Sequence, residues 1–151
     1  MRVALGSDHA GFDLKERLKA ALNEAGLEPL DLGTHSQESA DYPDFGHAVS
    51  EAVSAGQCEL GVLVCGSGIG MSMAANRHTG VRAALAWNEE VSALARRHND
   101  ANVLVLPARF LDEGEALKIL NKFLEASFEG GRHQRRVSKI DLERTGGEEP
   151  Q

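Results

Sequence analysis

Cysteine is scarce here, with Cys58 and Cys65 the two examples in 151 residues. They form no CxxC pair and share no zinc-type spacing with histidine. That leaves no basis for a disulfide framework or a structural metal, and at least one thiol should be free. Long apolar runs are also missing. The apolar run of the N-terminal MRVALGSDHAG is too short for the core of a signal peptide, and nowhere do about 18 consecutive apolar residues occur to span a bilayer. A cytoplasmic protein without a membrane partner is expected. Positive charge is in deficit, with 16 Lys and Arg against 23 Asp and Glu, a net charge of −7. This balance argues against a general nucleic-acid surface. An anionic small molecule can still bind where basic residues gather locally, as in GGRHQRRVSK (130–139). The plainer explanation of that cluster is a solvated helix face.

What is present is ordinary for a globular chain: 42% hydrophobic and 26% charged residues, enough at this length for one domain with its own core. Apolar runs alternate with amphipathic segments. RVALG (2–6), LEPLDLG (27–33), LGVLVCG (60–66), VRAALAW (81–87) and ANVLVLP (101–107) read as strands. FDLKERLKAALNEAG (12–26), residues 43–56, IGMSMAANRH (69–78), NEEVSALARRHN (88–99) and DEGEALKILNKFLEAS (112–127) read as helices. Continuous apolar strands between helices imply a five-stranded parallel sheet covered on both faces, a three-layer α/β/α sandwich. Every strand-to-helix turn then lies at one sheet edge, where ligands sit in such folds. One domain is expected over 1–144, followed by a polar tail over 145–151.

The stretch VLVCGSGIGM (62–71) ends an apolar strand on Cys65 and follows it with Gly66, Gly68 and Gly70. Glycines let a ligand approach the backbone, and the unpaired N–H groups of a helix start attract negative charge. A thiolate is favoured in the same setting, making Cys65 a candidate base or nucleophile; the plainer alternative is a small buried hydrophobe at a strand end. A dinucleotide site is a poor fit. The glycines read GxGxG in the third strand-to-helix turn instead of GxGxxG in the first, and Glu89 and Glu90 downstream are explained as helix-start acids. GSDHAG (6–11) puts Asp8 and His9 at the same edge, although Asp8 could simply cap the next helix. His98 and Asn99 end the fourth helix, where a histidine commonly serves the C-terminus. Arg132 and Arg136, four apart, would share one helix face and suit a phosphate. Cys58 reads as structural, and His35, His47, His78 and His133 belong to no evident constellation.

Taken together, GSDHAG, DYPDFG, CGSGIGMSMAANR, RHNDANVL and GGRHQRRV resemble the ribose-5-phosphate isomerase type B family, which also includes isomerases of galactose 6-phosphate and allose 6-phosphate. The resemblance covers about residues 1–142, with five motifs in family order. It implies a Rossmann-like fold, a homodimer or larger assembly with a site shared between subunits, and aldose–ketose isomerisation of a sugar phosphate without metal or other cofactor. It also implies roles for particular residues. Cys65 would be the proton-transfer base, Ser67 the hydroxyl beside it, and Gly66, Gly68, Ile69 and Gly70 the amide cradle for an enediolate oxygen. His98 would open the sugar ring with help from Asp8, Tyr42 and Asn99 would contact sugar hydroxyls, and His9, Arg109, Arg132 and Arg136 would hold the phosphate. One branch of the family replaces the cysteine with a glutamate at the position of Met71; Cys65 and Met71 place this chain in the cysteine branch. Ribose 5-phosphate is the expected substrate. The alternatives are a six-carbon sugar phosphate and, from another class, a sugar-phosphate or nucleotide-binding regulatory module without turnover.

Overall fold

Period-two alternation along each strand decides which layer a side chain joins. In a computed structural model describing residues 1–142, the strands are β1 (Arg2–Ser7), β2 (Glu28–Asp31), β3 (Leu60–Cys65), β4 (Ala83–Leu85) and β5 (Val103–Pro107). The helices are α1 (Phe12–Glu24), α2 (Tyr42–Ser54), α3 (Ile69–Ala75), α4 (Glu89–Asn99), α5 (Glu113–Glu125) and α6 (Arg132–Val137). Val3, Leu5, Val62, Val64, Leu104 and Leu106 pack with Leu18 and Leu22 of α1, Ala95 of α4 and Ile119, Leu120 and Phe123 of α5. The intervening Ala4, Leu63, Cys65, Val103 and Val105 pack with Val49 and Val53 of α2 and Met71 and Ala75 of α3. Both faces of the sheet are thus buried, and the expected three layers are present. The expected tail at 145–151, and the last two residues of the expected domain, lie outside the described residues.

All pairings are parallel, in the order β2-β1-β3-β5-β4. The chain leaves β1 for β2 on one side and later for β3 on the other, so a crevice opens beyond the carboxyl ends of β1 and β3. Register places Ser7 beside Val64 and Cys65 beside Pro107, which aligns the ends of β1, β3 and β5.

Four elements differ from the expectation: the edge strand β2 spans four residues instead of seven, and three others differ for local reasons. β4 is three residues long instead of seven. The Asn76 side chain donates to the Ala83 carbonyl and accepts from the Ala83 N–H, and Asn102 Oδ1 accepts from Arg82 N–H; side-chain amides thereby satisfy an edge that would otherwise invite another strand. Those bonds from Asn76 also tie down the end of α3, at Ala75 instead of His78. The sixth helix, α6, is formed by the basic cluster itself. Helix starts follow chemical expectation more closely: Asn88 accepts from Val91 N–H at 2.8 Å with Glu89 and Glu90 in the first turn, and Asp112 and Glu115 form a capping box.

An ion cluster clamps α1 to β2. Lys15 is fully buried, and its ammonium donates to both Asp31 oxygens at 2.7 Å and to Glu16 at 2.9 Å, while Lys19 adds a third bond to Asp31. Burial alone would push the Asp31 carboxyl up. Hydrogen bonds from Lys15, Lys19 and the Gly33 N–H outweigh it and bring the pKa down to about 2. Because the folded value is depressed, this stabilisation is complete above the ordinary value of 3.8 and drains away as the pH falls towards 2. Asp31→Asn should therefore destabilise the fold at pH 7 by about 3 kcal/mol, since Lys15 loses its main counter-charge while staying buried. Urea unfolding at pH 7 and at pH 2 tests this: the gap between variant and parent should shrink at the lower pH, and a constant gap would contradict it.

Candidate active site

The three aligned strand ends are stitched together by their own backbone. Asp8 N–H donates to the Val64 carbonyl, Ala108 N–H to the Cys65 carbonyl at 2.9 Å and Arg109 N–H to the Gly66 carbonyl at 3.0 Å. These bonds hold the loops after β1, β3 and β5 side by side. Between them lies a cleft of about 340 Å³ lined by Asp8, Tyr42, Cys65, Gly66, Ser67, Gly70, Arg109 and Phe110. Seven of the eight are residues singled out in the sequence, six of them from three separate motifs and Arg109 from outside any motif.

Each side chain is there for a traceable reason. Cys65 points to the α2/α3 layer because it has the parity of Leu63, and it is 4% exposed because it closes the strand. Gly68 starts α3 with φ 77°, a conformation suited to glycine, and a Cβ there would run into Leu85. Gly70 lets Tyr42 lie across the loop, since a Cβ would come within 2.8 Å of the tyrosine oxygen. The Arg109 guanidinium rests against Gly66, 3.1 Å from where a Cβ would be. Ser67 Oγ accepts from Ile69 N–H at 3.3 Å, which holds the hydroxyl on the loop that lines the same cleft as Cys65.

Asp8 is buried, but it does not cap α1. Its carboxylate accepts from Gly11 N–H at 3.1 Å, and α1 begins at Phe12 without a side-chain cap. The carboxylate braces the turn and keeps an oxygen face on the cleft. His9 Nδ1 accepts from Ala40 N–H at 3.1 Å; in the neutral ring the proton therefore sits on Nε2, a donor suited to an anion. Cys58 differs from Cys65 in kind: it is buried in the α2/α3 core away from the loop, and burial pushes its thiol up.

The remaining predicted residues are elsewhere. His98, Asn99 and Arg136 line a second cleft, of about 320 Å³, with His133, Val137 and Ile140. The topology requires this separation. α4 runs antiparallel to the sheet, so its last residues lie near the start of β5, and Val103 pairs with Gly61 at the start of β3. Four steps of strand then separate that edge from Cys65, roughly 13 Å at ~3.3 Å per residue. Arg132 and Arg136 are exposed on α6, which packs on α4, and Glu129 accepts from Arg97 Nε at 2.6 Å nearby. That bond is the main cause holding the Glu129 carboxyl below its ordinary range. Sequence reasoning missed Phe110, Glu129 and His133. Phe110 is 74% exposed at a cleft mouth, where no periodicity marks it, and the other two become evident only once α6 has docked on α4.

Fold and cleft together define a doubly wound α/β protein whose glycine loop and thiol sit at the topological switch point, an enzyme by its relatives. The family described as Ribose/Galactose Isomerase matches residues 3–140, and the chain belongs to that family. It is 43% identical over 139 residues to ribose-5-phosphate isomerase B of Escherichia coli, covering 92% of this chain and 93% of that one. The ribose 5-phosphate isomerase of Thermotoga maritima superposes with a TM-score of 0.91 at 48% identity, covering 93% of this chain and 97% of the other. The Mycoplasma genitalium enzyme, solved with bound ribulose-5-phosphate, superposes with a TM-score of 0.89 at 45% identity, covering 92% and 93%.

Proposed function

We propose that this chain interconverts ribose 5-phosphate and ribulose 5-phosphate through an enediolate. The observation that carries the reading is the placing of Cys65 at a strand end within one cleft that also holds Asp8, Ser67 and the Arg109 guanidinium. A base must take the proton from the carbon beside the carbonyl and return it to the neighbouring carbon, while donors placed in advance stabilise the oxyanion formed. Cys65 is that base, with the loop amides from Gly66 to Gly70 and the Ser67 hydroxyl facing the oxygens. Tyr42 orients the sugar. Met71, fully buried against Gly46, has a thioether that cannot accept the proton, which leaves the thiol as the base on this loop.

Ring opening needs an acid–base group as well, and His98 is assigned to it with Asp8 at the ring oxygen. The strand geometry keeps His98 and Cys65 of one chain apart, so we assign the complete site to a homodimer. The His98, Asn99, Arg132 and Arg136 end of one protomer meets the Cys65 cleft of its partner. His9 and Arg109 then share the phosphate with the two arginines of α6, which answers how a chain of net charge −7 holds an anion. Location in a reducing cytoplasm fits two buried free cysteines, and among the described residues no helix is long and apolar enough to cross a membrane.

The test is formation of ribulose 5-phosphate from ribose 5-phosphate by the purified protein with EDTA present throughout. Turnover unaffected by the chelator is expected. No turnover, or turnover that EDTA abolishes, would overturn the reading. Running allose 6-phosphate and galactose 6-phosphate alongside sets the substrate breadth, with the highest kcat/KM expected on the five-carbon sugar.

A further inference from the structure

His133 is the buried member of an otherwise exposed basic helix. It is 8% exposed while Arg132 and Arg136 face outward, and its ring lies flat on that of His98, with centroids 4.3 Å apart and planes inclined by 13°. We infer that His133 is a positioning residue for His98, a flat face that fixes the imidazole orientation needed for ring opening; this rests on the role given to His98 above. A ring held on one side only by solvent would rotate about its side-chain torsions. Stacking against a buried neighbour restricts it to one plane, the kind of constraint a proton-transfer group requires.

The charges around the pair favour the same arrangement. Arg97 comes from α4, Glu129 from the segment before α6, and Arg132 and Arg136 from α6 itself. Burial first, then the charges of His98 and Arg132, hold His133 below the ordinary histidine range, with Glu129 pulling the other way and Arg136 adding to the depression. A neutral His133 offers His98 an uncharged face in either protonation state. Glu129 Oε1 lies 4.0 Å from His98 Nε2 and is placed there by its bond to Arg97.

A cation site is the competing use of the same groups, since ligand atoms of His98, Glu129 and His133 lie within 4.8 Å of one another. Parallel rings direct their lone pairs side by side instead of converging them on one ion, however, and Arg97 already holds the carboxylate. The neighbouring Arg132 and Arg136 add further positive charge.

The experiment separates ring opening from proton transfer. Ribulose 5-phosphate has its C5 oxygen esterified and stays open-chain, so exchange of its C1 hydrogen with deuterium oxide needs the base but no ring opening. Net turnover of ribose 5-phosphate needs both. His133→Ala should lower net turnover at least about tenfold and leave exchange within about threefold, a loss inside the range of a general acid–base group. His133→Phe keeps the flat face and should keep both rates within about threefold of the parent. An alanine variant with unchanged turnover would overturn the inference, as would one that loses both rates in step. So would a phenylalanine variant as impaired as the alanine one. His98→Asn distinguishes the two readings: without the split, the His98 assignment fails and takes this inference with it. If the split appears in His98→Asn but not in His133→Ala, this inference fails alone.

Discussion

Replacing Cys65 with alanine should lower ribose 5-phosphate turnover by about 10³-fold, within the range contributed by a positioned proton-transfer base. Exchange of the ribulose 5-phosphate C1 hydrogen with solvent should fall by the same factor, because one thiol serves both. The substitution removes a single sulfur from a residue 4% exposed at a strand end and leaves the loop glycines and the Arg109 contact in place. Circular dichroism and ligand affinity should therefore stay near the parent's, isolating the chemical step. Turnover within tenfold of the parent would remove Cys65 from the mechanism and direct attention to Asp8, the carboxylate that lines the same cleft.

A mixture of two inactive proteins should regain activity. In the proposed symmetric dimer each composite site would take the Cys65 loop from one protomer and His98 from the other. Co-expressed Cys65→Ala and His98→Asn chains pair at random, and each mixed dimer carries one site with both substitutions and one with neither. Half of the dimers are then mixed, each with half of its sites intact, so the preparation should reach about a quarter of parental activity. If the two groups instead met within one chain, every site would carry a lesion and the mixture would stay inactive. Purifying mixed dimers through two different affinity tags and assaying them alone sharpens the expectation to about half.

Much of this arrangement was legible before any coordinates. Each of the five expected runs marks one of the five strands; those of the central β1, β3 and β5 are apolar almost throughout because both faces are covered, whereas the edge strands β2 and β4 are shorter and only partly buried. Cys65 is identifiable as a strand terminus because the glycines begin at the next residue, and Glu89 and Glu90 mark the start of a helix. Strand order was not legible. β5 enters between β3 and β4, and such pairing depends on contacts far apart in sequence that no local pattern encodes. The shortening of β4 has a similar origin, since it depends on Asn76 and Asn102 reaching across loops. For the site, the motifs supplied every residue of the Cys65 cleft except Arg109, which came from the family resemblance alone, and Phe110; Asp8 and the Cys65 loop fall at strand ends, where chemistry is expected. His133 could not be read in this way. Its neighbours in sequence are solvent-facing arginines, and its partner is 35 positions earlier on another helix.

The placing of His98 at one end of the sheet and Cys65 at the other has a kinetic corollary. With the site shared between protomers as proposed, a catalyst divided between opposite poles of a chain would gain its function only by encounter with a second copy, so the rate would be second order in protein where monomers prevail and first order once dimers saturate. Newly made chains would thus remain silent until their concentration passes the dissociation constant, and dilution alone would switch the enzyme off without disturbing a single fold.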